Sequence, residues 1–143
     1  AALDGLTPGR HIPIGPALFI CTANSARSQL AAALWRELSG ESGDSAGTHP
    51  VDRVNPGAVA AASRAGLDVA GATPRELTDG ERLPGLVVTV CDRAHEELAG
   101  DETWLHWSIP DPVLLGTKAA FDATVAELRD RIESILDERD LAS

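Results

Sequence analysis

A chain of 143 residues that is 43% hydrophobic has the size of one domain, and its apolar runs fall short of a bilayer span. A formal net charge of −10 without a basic cluster argues against a nucleic-acid partner, and leaves any anionic ligand dependent on a local device. The two cysteines, Cys21 and Cys91, are too few for a disulfide scaffold or a four-cysteine zinc site, and point to reduced thiols in a cytoplasmic setting with no metal site.

Residues 1–16 carry three prolines and three glycines without periodicity and read as an irregular arm or linker, with one domain expected over 17–143. The chain opens on Ala1 rather than Met, which leaves processing or a longer parent chain open. "ALFIC" reads as a buried strand, and "RSQLAAALWREL" places Leu30, Leu34 and Leu38 at helical spacing before Ser39-Gly40 ends the pattern. A weak strand is expected around Ser45. A second helix follows, with Asn55 as its cap, Pro56 at its first position and Gly66 as its stop. "GLVVTVC" is the strongest strand in the chain, and "DRAHEELA" a short helix for Asp92 to cap. "WLHW" is a brief strand closed by the turn Pro110-Asp111-Pro112, and Phe121, Val125, Leu128, Ile132 and Ile135 mark a long C-terminal helix. Four alternations of strand and helix predict an α/β fold with a parallel sheet. Ligands bind such sheets outside the carboxyl ends of the strands, where Cys21, Cys91 and Asp111 all fall.

Cys21 and Arg27 bracket Thr22, Ala23, Asn24, Ser25 and Ala26, all small or polar, so that the loop can curl its N–H groups inward at the start of a helix. That positive field would favour the Cys21 thiolate, the form that attacks. Arg27 offers a planar fork for two oxygens of a tetrahedral oxyanion, Ser28 a hydroxyl for the thiolate, and Asn24 a brace for the loop. Asp111, stiffened by its two prolines, suits a general acid as well as it suits an ordinary turn. Cys91 at a strand end is open between packing and chemistry. His95 and His106 read as surface or structural, and the charges from Glu127 to Glu133 as a solvated helix face.

The ordered set "FICTANSARSQ", "SAGTHP", "NPGAV", "LVVTVCDRAHEEL" and "HWSIPDP" resembles the low-molecular-weight protein tyrosine phosphatase family, and more closely its arsenate reductase branch, over about residues 17–137. The resemblance implies a three-layer sandwich with a four-stranded parallel sheet, Cys21 as nucleophile in an anion-binding loop that ends at Arg27, and Asp111 as the acid. Cys91 matches the second thiol of the thioredoxin-dependent reductases of this fold. Leu98 stands where their third is expected, and Ala26 replaces an extra loop cysteine. Ala32 replaces a glutamate that helps bind potassium in some relatives.

The implied activity is reduction of arsenate to arsenite with an external thiol reductant and no tightly bound cofactor. In one route mycothiol or glutathione takes the arsenic from Cys21, and mycoredoxin or glutaredoxin completes the reduction. In the other, Cys91 attacks Cys21 and a thioredoxin-type protein reduces the disulfide. The alternatives are a phosphatase for phosphotyrosine or small phosphate esters, and an oxyanion-sensing domain of a larger regulatory protein. No membrane partner is expected.

Overall fold

The computed structural model describes residues 14–98 and 103–142. Most of the arm expected over 1–16 lies outside them. The elements run β1 (Ala17–Cys21), α1 (Arg27–Ser39), β2 (Gly43–Gly47), α2 (Pro56–Arg64), β3 (Leu86–Thr89), α3 (Asp92–Leu98), β4 (Leu105–His106), α4 (Pro112–Leu115) and α5 (Lys118–Ala142). The strands form one parallel sheet in the order β2-β1-β3-β4, the four-stranded α/β arrangement that the alternation predicts. Cys21, the last residue of β1, is in register with Gly47 at the end of β2.

Every residue of β1 and β3 is buried, which is why both read as continuous apolar runs rather than alternating ones. Phe19 lies 6.3 Å from Trp35 on α1 and 6.1 Å from Trp107 after β4, ring centre to ring centre, and joins sheet and helices into one core. Leu30, Leu34, Leu128 and Ile132 complete the core, all fully buried. Truncating a side chain such as Trp35 to alanine would cost about 3–5 kcal/mol.

Helix α2 begins as its punctuation dictates. The Asn55 side chain accepts from the Gly57 N–H at 2.8 Å, Pro56 takes the first helical position, and Gly66 at φ 78° follows the end. Gly57 also lets α5 approach, since a Cβ there would run into the Phe121 ring.

Two local expectations change. The Asp92 carboxylate does not cap α3. It turns instead to His106 Nε2 at 2.8 Å and to the Ser108 hydroxyl, while the Cys91 sulfur accepts from the Ala94 N–H at 3.4 Å. The Pro110-Asp111-Pro112 turn opens a further helix, α4, which Asp111 caps and Gly116 at φ 67° ends. Among the described residues no helix is long and apolar enough to cross a membrane.

Candidate active site

The loop after β1 is held by its carbonyls. Those of Cys21, Thr22, Ala23 and Ser25 accept from the N–H groups of Thr48, His49, Val51 and Asn55 at 2.8–3.1 Å. The Asn24 carbonyl accepts from Gln29 Nε2 at 3.1 Å, and that of Ala26 from the Leu30 N–H at 2.9 Å. With each carbonyl tied in this way, the loop's N–H groups other than that of Asn24, which meets the Cys21 sulfur, are left for an anion. No side chain caps α1, whose first N–H groups face the same place.

Two residues permit this curl. Asn24 sits at φ 53°, the left-handed region that asparagine tolerates better than most residues. Gly47 lets β2 end against the loop, because a Cβ there would stand 2.5 Å from the Thr22 carbonyl oxygen. The segment from Thr48 to Asn55 can then lie along the loop and supply its donors.

Cys21 is 2% exposed at the bottom of the loop. Its sulfur lies 2.8 Å from Ser28 Oγ and 3.2 Å from the Asn24 N–H. Burial pushes the thiol above its ordinary value, against these hydrogen bonds, which pull it down, and with a smaller upward push from Cys91. The net direction is therefore upward, opposite to the lowered value expected from the helix and Arg27. That expectation left out desolvation, and Arg27 here turns elsewhere.

The Arg27 guanidinium donates from Nη1 to the Ile109 carbonyl at 2.9 Å, and its Nη2 stands 3.7 Å from Asp111 Oδ2. The other Asp111 oxygen accepts from the Val113 N–H at 3.0 Å. Capping α4 thus fixes the carboxyl at the rim beside Arg27. Cys21, Thr22, Ala23, Ser25, Ala26, Arg27, Cys91 and Asp111 all line one cleft of about 880 Å³. The side chains of Asn24 and Ser28 are fully buried behind the loop and do not line it.

Cys91 is also 2% exposed and accompanies Cys21 in the cleft, with Thr22 Oγ1 3.3 Å from its sulfur. Next to it the rings of His95 and His106 stack at 4.1 Å, and Thr89 Oγ1 lies 2.8 Å from His106 Nδ1. These histidines thus join the middle of α3 to the end of β4. Among the described residues no group of His, Cys, Asp and Glu could hold a metal ion.

Sequence reading quotes "SAGTHP" and "NPGAV" but gives residues 48–55, and the stretch around Arg75, no part in bracing the loop from outside. The Arg75 N–H donates to Asn24 Oδ1 at 2.9 Å from 51 positions along the chain, and no local pattern signals that contact.

A buried thiol beneath a curled backbone loop, with an arginine and a carboxyl at the rim and all at the carboxyl ends of a parallel sheet, is an arrangement that suits a cysteine-centred oxyanion site. Comparison with known proteins makes the class specific. Residues 17–142 match the family model described as low molecular weight phosphotyrosine protein phosphatase, and the chain belongs to that family. It is 39% identical over 103 residues to arsenate reductase 2 of Staphylococcus saprophyticus, a match covering 66% of this chain and 76% of the relative. It is 34% identical over 122 residues to an arsenate reductase of Halalkalibacterium halodurans, covering 80% and 86%. Among solved structures, an arsenate reductase from Archaeoglobus fulgidus superposes with a TM-score of 0.72 at 28% identity, covering 85% of this chain and 98% of that one. A YwlE mutant from Bacillus subtilis superposes at 0.76 with 21% identity, covering 88% and 99%, and shows the shared fold.

Proposed function

We propose that the protein is a thiol-dependent arsenate reductase, with Cys21 as the nucleophile. The supporting observation is the placement of two buried thiols, Cys21 and Cys91, in one cleft whose floor is a ready-made anion cradle. The relatives named arsenate reductase supply the substrate.

Arsenate enters with its oxygens on the loop's N–H groups, and the Arg27 fork swings from Ile109 to hold two of them. The Cys21 sulfur attacks arsenic and passes its proton to an arsenate oxygen. An As–O bond breaks, and the leaving oxygen departs as water with a proton from Asp111. A thiol that keeps its proton until the anion arrives fits this order, because the dianion is itself the base. The adduct then has two fates. A small thiol such as mycothiol or glutathione takes over the arsenic, and mycoredoxin or glutaredoxin finishes the reduction. Alternatively, the Cys91 sulfur attacks the Cys21 sulfur, passes its proton to an oxygen of the bound arsenic group, and an S–S bond forms. The S–As bond then breaks with its electron pair going to arsenic, and arsenite leaves. Two thiols have lost two electrons and As(V) has become As(III). An external dithiol of the thioredoxin type restores both. Leu98 provides no third thiol to carry the disulfide outward. Each of these reductants belongs to a reducing, cytoplasmic setting.

The same nest and nucleophile also suit a phosphate ester, so slow ester hydrolysis accompanies reduction. Val113, rather than an aromatic residue, follows Pro112 at the cleft, and among the described residues no Phe, Tyr or Trp lines it to sandwich a phenyl group.

The deciding experiment is arsenite production by purified protein with thioredoxin, glutaredoxin and mycoredoxin systems, for wild type, Cys21→Ser and Cys91→Ser. Turnover by Cys21→Ser would sink the nucleophile assignment. Loss of reduction with retained ester hydrolysis in Cys91→Ser establishes the intramolecular disulfide, and unchanged reduction assigns Cys91 to packing.

A further inference from the structure

Asn24 Oδ1 accepts from the Arg75 N–H at 2.9 Å and from Gln29 Nε2 at 3.2 Å, which identifies that end of the amide as the oxygen. The Nδ2 end then faces Ser28 Oγ at 2.7 Å and donates to it. Having accepted there, the Ser28 hydroxyl keeps its own proton for the Cys21 sulfur, 2.8 Å away. The direction of the hydrogen bond to the reacting sulfur is thus set by donors two contacts behind it. Of those donors, Gln29 is shared with the Asn24 carbonyl.

The Arg75 N–H belongs to a stretch outside any helix or strand. Two backbone bonds to Gly47 tie it to the sheet, Gly47 N–H to the Arg75 carbonyl at 2.8 Å and Leu77 N–H to the Gly47 carbonyl at 3.0 Å. Leu77 packs against the core, and the Arg75 side chain adds a further anchor. The guanidinium meets both Glu81 oxygens at 3.1 Å and Asp44 Oδ2 at 3.0 Å. Glu81 in turn accepts from the N–H and hydroxyl of Thr78.

We infer that Arg75 is a positioning residue for Cys21: its side chain, clasped by Glu81 and Asp44, fixes the N–H that orients the Asn24 amide, and Asn24 aims the Ser28 hydroxyl at the sulfur. The inference rests on Cys21 as the reacting group, and adds a residue whose side chain touches neither substrate nor thiol. Releasing the clasp lets the amide turn, and Ser28 loses the contact that commits its proton to sulfur. The N–H cradle, held by Thr48–Asn55, stays in place. The effect therefore falls on the thiol's readiness rather than on anion binding.

The test compares Arg75→Gln, which cannot pair with two carboxylates, with Arg75→Lys, which keeps the charge, and with Arg64→Gln. The last breaks another surface ion pair, to Asp122 at 2.7 Å, and serves as the stability control. Iodoacetamide labelling of Cys21, followed by mass across a pH series, reads the sulfur. Hydrolysis of p-nitrophenyl phosphate separates kcat from KM. In Arg75→Gln the labelling inflection moves up by about half to one pH unit, which lowers the neutral-pH rate about three- to tenfold. Its kcat falls by a similar factor while KM stays within about twofold. Arg75→Lys lies between it and wild type, and Arg64→Gln behaves as wild type.

A wild-type inflection and kcat in Arg75→Gln, with only a lower thermal midpoint, would overturn the inference. Should that variant fail to fold, Glu81→Gln carries the same measurement with Asp44 still in place, and an unshifted inflection there is equally fatal. Labelling does not depend on turnover. Activity surviving in Cys21→Ser would therefore defeat the nucleophile reading without moving the labelling result.

Discussion

Arg27 donates to the Ile109 carbonyl at 2.9 Å, across 82 positions of the chain, and so ties the first turn of α1 to the residues just before Asp111. The bond makes the arginine a latch between the loop after β1 and the turn that carries Asp111, the proposed acid. Lysine would keep the charge but lose the fork that serves both the latch and two oxygens of a bound anion. Arg27→Lys is expected to lower kcat/KM at least about a hundredfold, for arsenate reduction and ester hydrolysis alike. Steady-state kinetics with both substrates checks it, and a loss confined to one would separate the two chemistries.

Gly47 answers to a different constraint. Because a Cβ there would lie 2.5 Å from the Thr22 carbonyl and 3.0 Å from Asn24 Cβ, Gly47→Ala must push the loop off β2. A cost of about 1–3 kcal/mol is expected in urea unfolding. The KM for the oxyanion should rise in the same variant, since the loop that moves is the cradle.

Acid tests the Arg75 clasp thermodynamically. Hydrogen bonds from Arg75 and Thr78 lower Glu81 from an ordinary 4.5 to about 2. Between those values the unfolded chain binds more protons than the folded one, so stability rises with pH across this window. The contribution is complete above about pH 4.5 and is lost as pH falls towards 2. Arg75 is 36% exposed, and solvent screening reduces the amount to about 1 kcal/mol or less. Unfolding free energies from pH 5 to 2 should fall less steeply for Glu81→Gln than for wild type. Parallel curves would contradict the assignment.

Alkali acts on Cys21 with the opposite sign. Burial raises the folded thiol above its ordinary value, so above the unfolded thiol's pKa, about 8.5, the unfolded chain loses a proton that the folded chain keeps. Stability should decline as pH climbs from there towards the folded value, and Cys21→Ser should remove that part of the decline. Guanidinium titrations at pH 7 and pH 10 measure the difference. An identical drop in both proteins would mean that Cys21 does not contribute.

Much of the frame is legible from the sequence, because its signals are local. Asn55-Pro56 starts α2 through one side chain and one ring, and the unbroken apolar runs of β1 and β3 announce strands covered on both faces. Cys21 and Arg27 stand out for the same reason, seven residues that end a strand and open a helix. What escapes is set by distance along the chain. The donors to the loop carbonyls come from Thr48–Asn55, and the donor to Asn24 from Arg75, segments without periodicity whose positions only the folded sheet creates. Helix α4 escapes because four residues are too few for a period, although Asp111, Pro112 and Gly116 in hindsight spell its cap, start and stop. The protonation of Cys21 escapes because the pattern announces the neighbours that favour charge, while its burial is a property of the whole core.

The tethered carbonyls of the Cys21–Ala26 loop have a consequence for selectivity. A cradle of backbone N–H groups, fixed before anything binds, recognises a tetrahedron of the right charge and is indifferent to the atom at its centre. Phosphate, the more abundant oxyanion in a cell, should occupy the loop and compete with arsenate. Discrimination then belongs to the step after binding, because only arsenic accepts the electron pair of a breaking S–As bond. Such an enzyme is selective by what it can finish.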